Sequence, residues 1–353
     1  MRSAPTPRDA ILRMQPYAWE PPSASIARDA GVPEDQVVRF DTNTFPWPGV
    51  RLDSLPPLVL NEYSDSTYSA LVAQLNEYTG LPATRITVGA GADEILDLLA
   101  KVYIGPGDHV IQSIPTYPMF RIVSEIAGGL VADVPSQDLA LDREAFLRQA
   151  QSARFTWIAN PNNPTGELLP LDFIEDLAAR AAGVLAVDEA YFELSGLTAV
   201  PLIDHHPNLV VVRTMSKGFG LAALRIGYAL AGDEVTRALW RVRPPLSVSV
   251  VAEALAVKAL EDREAMRDRA RQIVRARETM RSALAELGCE VRDSAGNFLL
   301  LRAAPQVAPA LLRRGLVVRT FPPSSLAHDY IRVTVRAPAE NARLLSALTE
   351  LIG

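Results

Sequence analysis

The segment Thr214-Met215-Ser216-Lys217-Gly218-Phe219-Gly220, running on to Leu224-Arg225-Ile226-Gly227, carries a lysine, a hydroxyl and an arginine just after a short apolar run, Leu209 to Val212. That run reads as a buried strand, so Lys217 stands at a strand end and not on a solvated helix face. A lysine in a partly apolar crevice has its ammonium disfavoured, and its neutral amine can attack a carbonyl to form a Schiff base. Ser216 and Arg225 add a hydroxyl and a permanent cation, donors suited to an anionic phosphate. Ser-Lys-Gly is a common tripeptide, so this chemistry depends on partners elsewhere in the chain.

Four other stretches offer such partners. Gly89-Ala90-Gly91-Ala92-Asp93-Glu94 follows an apolar run and opens a helical pattern, where glycines admit an anion and free N–H groups face it. Glu94 occupies the third glycine position of a dinucleotide turn, and no Gly-Lys-Ser/Thr of a P-loop is present. Pro115-Thr116-Tyr117-Pro118 aims an aromatic ring over the same region, where a flat heteroaromatic ligand could stack. Asn160-Pro161-Asn162-Asn163-Pro164-Thr165-Gly166 is an irregular loop that holds the Asn163 amide in one orientation. Val184-Leu185-Ala186-Val187-Asp188-Glu189-Ala190-Tyr191 leads an apolar strand straight into a carboxylate. A buried Asp188 requires a cation or hydrogen bonds, which a pyridinium N–H would supply, and Tyr191 can return its hydroxyl to the same place.

These residues must be positioned by a regular scaffold. Apolar runs at Ile86 to Val88, Val110 to Ser113, Leu130 to Val134, Thr156 to Ala159, Val184 to Val187 and Leu209 to Val212 read as strands, with helical patterns at 91–104, 117–127, 142–151 and 170–182 between most of them. This rhythm predicts an α/β fold, a mostly parallel sheet covered by helices on both faces, with ligands at the carboxyl ends of the strands. A further helix starts near Ser66 and stops at Gly80-Leu81-Pro82. Residues 1–50 read as an arm too broken for regular elements and laid on another surface, with Trp19, Phe45 and Trp47 interleaved among prolines. Residues 51–245 form the large domain. Residues 246–353 supply connecting helices (247–287, broken near Asp262) and a smaller α+β unit of strand, strand, helix, strand, strand, helix.

At 353 residues and 48% hydrophobic content the chain can bury sizeable cores. Lys+Arg 35 against Asp+Glu 41, with no basic stripe, excludes a nucleic-acid partner. The single cysteine, Cys289, excludes an intrachain disulfide and a cysteine-built metal site, and no metal is expected. No apolar stretch reaches membrane-spanning length, and Met1 to Trp19 lacks a continuous apolar core, so a cytoplasmic protein is expected.

Taken together, the order and wording of these motifs resemble the fold-type I pyridoxal-phosphate aminotransferases, and within them, from about Asp41 onward, the histidinol-phosphate aminotransferases. The resemblance implies an aspartate-aminotransferase-like fold with pyridoxal 5′-phosphate as cofactor. Lys217 would hold the cofactor aldehyde and, once freed, move the proton between Cα and C4′. Asp188 would keep the pyridine protonated, Asn163 and Tyr191 would tune its phenolic oxygen, and Tyr117 would stack on the ring. Gly91, Ala92, Asp93, Ser216 and Arg225 would hold the phosphate, helped by Tyr63, in Asn61-Glu62-Tyr63-Ser64-Asp65, from the partner subunit of a homodimer. Arg332, in Tyr330-Ile331-Arg332-Val333-Thr334-Val335, and Arg319 would receive the anionic end of the substrate, with Asn43 nearby and Asn297 in the small-domain motif. The implied reaction transfers the amino group of L-histidinol phosphate to 2-oxoglutarate, giving imidazole acetol phosphate and L-glutamate. An aromatic amino-acid aminotransferase and a threonine-phosphate decarboxylase are alternatives with the same cofactor set. Two departures touch substrate recognition or the dimer contact: Asp41-Thr42-Asn43-Thr44 stands where the family usually has Asn-Glu-Asn-Pro, and Ser64 follows Tyr63 where a proline is usual.

Overall fold

The computed structural model describes residues 5–14 and 21–352; Trp19 of the expected arm lies outside them. Strands are numbered β1 (Val38–Arg39), β2 (Ile86–Gly89), β3 (His109–Ile114), β4 (Leu130–Pro135), β5 (Phe155–Ala159), β6 (Val184–Asp188), β7 (Leu209–Thr214), β8 (Gly227–Ala231), β9 (Phe298–Arg302), β10 (Leu316–Val317) and β11 (Tyr330–Thr334). The large sheet runs β2-β8-β7-β6-β5-β3-β4. Its strands are parallel except β8, which pairs antiparallel with both β7 and β2.

Strands β5, β6 and β7 are almost wholly buried, which is why they read as continuous apolar runs without alternation. Leu209, Val211, Leu185, Val187 and Ile158 point into one core, while Val210, Val212, Ala186, Trp157 and Ala159 point into another on the opposite face. Helices Gly91–Tyr103, Met119–Ala127, Arg143–Ala150 and Leu171–Arg180 fall within two residues of the segments expected from periodicity. The helix expected from Ser66 begins at Ser69.

The sequence reading misses strand β8, helix Asp233–Val242 and the short helix Phe192–Ser195. Strand β8 begins with glycine and includes Ala229 and Ala231, residues of low strand propensity, and becomes a strand because it is sandwiched between β7 and β2. Helix Asp233–Val242 packs against Gly91–Tyr103 and follows β8 directly.

The C-terminal unit builds a separate core around β9 and β11, which pair antiparallel, and helix Pro338–Ile352. Helices Val250–Glu261 and Arg263–Glu286 lead into it, separated at Asp262, whose carboxylate caps the second. The first expected strand after Cys289 shrinks to a single bridge between Val291 and Leu301.

The arm differs from the expectation more clearly. It contains helix Ser23–Ala30 and strand β1, which pairs in parallel with β10. Phe40 donates its N–H to Val317 O at 2.8 Å and is fully buried among Phe298, Val333 and Leu316. The small-domain core is thus completed by residues almost three hundred positions earlier, a pairing that no local pattern announces. The arm then crosses to the Lys217 turn, where Gly49 N donates to Gly220 O at 3.4 Å.

Behind the sheet edge lies a buried ion pair. Arg213 of β7 meets Glu189, the residue after β6, at 2.9 Å, with their side chains 3% and 2% exposed. Arg213 also donates to Thr198 Oγ1 at 2.7 Å and covers the Phe192 ring at 3.6 Å, while Glu189 accepts from Ala199 N–H at 2.6 Å. These contacts tie the chain after Asp188 to β7. No helix among the described residues is long and apolar enough to cross a membrane.

Two outcomes are expected in urea denaturation. Phe40→Ala should lose about 3–5 kcal/mol, the cost of a large core cavity, whereas a loss near zero would mean that the arm is not part of the core. Arg213→Met should lose about 3–5 kcal/mol because Glu189 is left buried and uncompensated, and adding Glu189→Gln should recover part of that loss.

Candidate active site

Strands β2, β3, β5, β6 and β7 all end on one edge of the sheet, and the segments that follow them carry the predicted residues. Helix Gly91–Tyr103 starts two residues after β2, and Glu94 Oε2 accepts the Ala90 N–H at 2.6 Å. The amides of Gly91, Ala92 and Asp93 meet no acceptor among the described residues, as expected for a helix start that faces an anion site. Gly91 has φ +83°, and a Cβ there would stand 2.5 Å from Arg225 Nη2; a Cβ on Gly227 would stand 2.3 Å from Ala92 N. The glycines therefore let the Arg225 guanidinium and β8 lie directly against the helix start.

Arg225, itself left-handed at φ 51°, donates from Nη1 to Ser216 Oγ at 3.3 Å and from Nη2 to Asp93 Oδ2 at 3.1 Å. Tyr117 donates its hydroxyl to Asp93 Oδ1 at 2.8 Å. Ser216 is buried, with its hydroxyl 2.9 Å from Thr214 Oγ1, which also reaches the Ile226 carbonyl at 3.0 Å. Gly91, Ala92, Asp93, Tyr117, Ser216 and Arg225 thus form one cradle of donors.

Beside it, Asp188 ends β6 with only 6% exposure, and its Oδ1 accepts from Ala190 N–H at 2.9 Å. Burial, opposed by that hydrogen bond and raised further by the charges of Asp93 and Glu189, pushes its carboxyl up to about 7. Lys217 Nζ donates to Thr42 O at 3.4 Å and lies 5.9 Å from the Tyr191 ring centre. Burial, with the Arg332 cation next in size, lowers its ammonium to about 8. Burial of the strand-end amine disfavours its ammonium.

The opposite wall comes from the loop after β5, the arm and the small domain. Arg332 donates to Asn163 Oδ1 and to the backbone carbonyl of Asp41, and lies 5.5 Å from the Phe298 ring centre. Asn43 donates from Nδ2 to the Tyr191 hydroxyl at 2.9 Å, and its carbonyl accepts from Asn297 Nδ2 at 3.0 Å. Thr334, two residues after Arg332, donates to Phe40 O at 2.8 Å and accepts from Asn43 N–H at 3.0 Å.

Two predicted residues stand apart. Tyr63 is 91% exposed and joins none of these contacts within the single chain. Arg319 pairs with Arg332 through the backbone, N–H to O at 3.0 and 2.9 Å, with its side chain half-buried. The sequence reading misses Thr334 and the Asp41 and Thr42 carbonyls. Backbone carbonyls leave no trace in residue type, and Thr334 lies one strand repeat from Arg332, where period-2 alternation could have found it.

The family model for aminotransferase class I and II matches residues 59–348. A histidinol-phosphate aminotransferase of Roseiflexus castenholzii is 35% identical over 364 residues, covering 98% of this chain and 97% of the relative. One of Thermococcus kodakarensis is 37% identical over 299 residues, covering 84% and 86%. The solved structure of histidinol-phosphate aminotransferase from Sinorhizobium meliloti in complex with pyridoxal-5′-phosphate superposes with a TM-score of 0.86 at 25% identity, covering 98% of this chain and 96% of that one. With its strand-end lysine and aspartate set in an aspartate-aminotransferase-like fold, the chain belongs to the class I and II aminotransferases, enzymes that depend on pyridoxal phosphate.

Proposed function

We propose that this aminotransferase holds pyridoxal 5′-phosphate at Lys217, takes L-histidinol phosphate as amino donor and passes the amino group to 2-oxoglutarate. The observation that carries the cofactor reading is the pair of buried groups, Lys217 and Asp188, beside a donor cradle narrowed by Gly91. The residues fit the group. A phosphate suits the open amides of Gly91, Ala92 and Asp93 with Ser216 and Arg225, and a ring N–H suits a carboxylate buried without a cation bonded to it among the described residues. The substrate reading is supported by relatives of that name matched over nearly the whole chain, and by Arg332, whose guanidinium suits a phosphate or a carboxylate.

The bound cofactor supplies an electron-poor ring that weakens the bond between the donor's Cα and its hydrogen. Asp188 would accept the ring N–H and so keep that proton in place. Asn163 and Tyr191 would donate toward the ring's phenolic oxygen. The Lys217 amine, weakly basic and near Tyr191, would take the proton from Cα and return it at C4′. Arg332 would orient the substrate's anionic end, helped by Arg319, with Asn43 holding Tyr191 in place. The reading includes a homodimer in which Tyr63 reaches the partner's cradle, supported by its exposure beside exposed Val59 and Leu60.

Lys217→Ala should abolish the visible absorption of the bound cofactor and lower glutamate formation by more than about 1,000-fold. A panel of amino donors with 2-oxoglutarate should show the highest kcat/KM for histidinol phosphate. Preference for an aromatic amino acid, or release of carbon dioxide without an oxo acid, would overturn the substrate reading.

Asp188 also predicts a pH effect in the cofactor-free protein. Its folded carboxyl, at about 7 against an ordinary 3.8, keeps a proton that the unfolded chain has lost, so stability falls as pH rises between those values. Asp188→Asn should therefore gain on the wild type in urea denaturation between about pH 5 and about pH 8, by on the order of 2 kcal/mol. A difference that is constant with pH would show that Asp188 is ionised throughout.

A further inference from the structure

Asp93 puts a negative charge inside the cradle that is open to an anion. Its two carboxylate oxygens take the Tyr117 hydroxyl at 2.8 Å and the Arg225 guanidinium at 3.1 Å, so two of the cradle's side-chain donors are already bonded to an anion of the chain itself. The neighbouring amides of Gly91, Ala92 and Asp93 are not engaged in this way among the described residues. Both partners of the ion pair are open to solvent, with side chains 42% and 49% exposed, so the bond is weak and can be exchanged.

We propose that Asp93 is a tethered competing anion, whose carboxylate holds Arg225 and Tyr117 at the cradle and contends with the cofactor phosphate for the Arg225 guanidinium. This rests on the phosphate reading above and deepens it. Residue 93 then acts in two opposed ways: its backbone N–H favours the phosphate, and its side chain competes with it. The tether keeps Arg225, whose backbone is left-handed, and Tyr117 pointed at the cradle. It also repels an incoming dianion, so affinity is lower and exchange faster than the donors alone would give. Carboxylate and phosphate then share the charge of one guanidinium.

Asp93→Asn separates the two roles, because the amide oxygen still accepts from Tyr117 while the charge is gone. The test is calorimetric titration of the full chain, freed of cofactor, with inorganic phosphate and with pyridoxal 5′-phosphate. Asp93→Asn should bind both about three- to tenfold more tightly than the wild type at low salt, and the gain should shrink at about 1 M salt, where the screening length falls to about 3 Å. Asp93→Ser should shift affinity in the same direction, and Asp93→Glu, which keeps the charge, should stay near the wild type. Equal or weaker binding by both uncharged variants, with the wild type binding normally, would overturn the proposal and make the carboxylate a supporter of the phosphate. Absence of phosphate and cofactor binding in every protein, wild type included, would instead sink the cradle reading and the proposal with it.

Discussion

Desolvation of two opposite charges in one crevice is the constraint on which the rest of the site depends. Burial penalises the charged form of each group, so it raises Asp188 to about 7 and lowers Lys217 to about 8. Both values move toward neutrality, which brings Lys217 nearer the range in which an amine can take up and return a proton. A solvated lysine would remain an ammonium and a solvated aspartate would gain little from a pyridinium. The sheet creates this condition by running β6 and β7, buried on both faces, straight into the two residues or the turn between them. The Arg213–Glu189 pair then keeps the chain just beyond Asp188 from moving, because neither partner can leave without exposing the other to an apolar interior.

The second wall is made by sequence-distant parts that fold as one body. Strand β1 belongs to the small-domain core through Phe40, and the residues that follow it, Asp41 to Asn43, bond to Arg332, Lys217, Tyr191 and Thr334. Arg332 in turn reaches Asn163 on the large domain. The arm and the small domain therefore share the task of closing the crevice. A shift of the small domain relative to the sheet would carry Asn43 and Arg332 together, because both are held by β1, β10 and β11.

What was legible in the sequence follows from what is local. Val184 to Asp188 is an apolar run ending in a carboxylate, and only burial makes that pattern; the Asn160 to Gly166 string and the Gly91 helix start are equally local. Strand β8 was not legible because its glycine and alanines carry no strand signal until β7 and β2 flank it. The place of Phe40 was hidden for a related reason: parallel pairing of β1 with β10 spans nearly the whole chain and involves two residues on each side. The Glu189–Arg213 pair is not legible because each residue alone reads as a solvated charge, and only the fold shows that both are buried.

The cations around Lys217 tie its base strength to occupancy. The Arg332 and Arg225 charges both lower the amine's proton affinity, after burial, while Asp93 and Asp188 raise it. An anion bound at Arg332 offsets that cation's pull, and a phosphate at Arg225 does the same from the other side. Each arriving anionic group thus makes the amine a stronger base, and a dianion does so more than a single carboxylate of equal placement. On the proposed reading, a substrate whose anionic end met Arg332 would return part of its binding energy at the reacting hydrogen as proton affinity on Lys217. Recognition and catalysis would then be linked by Coulomb interaction.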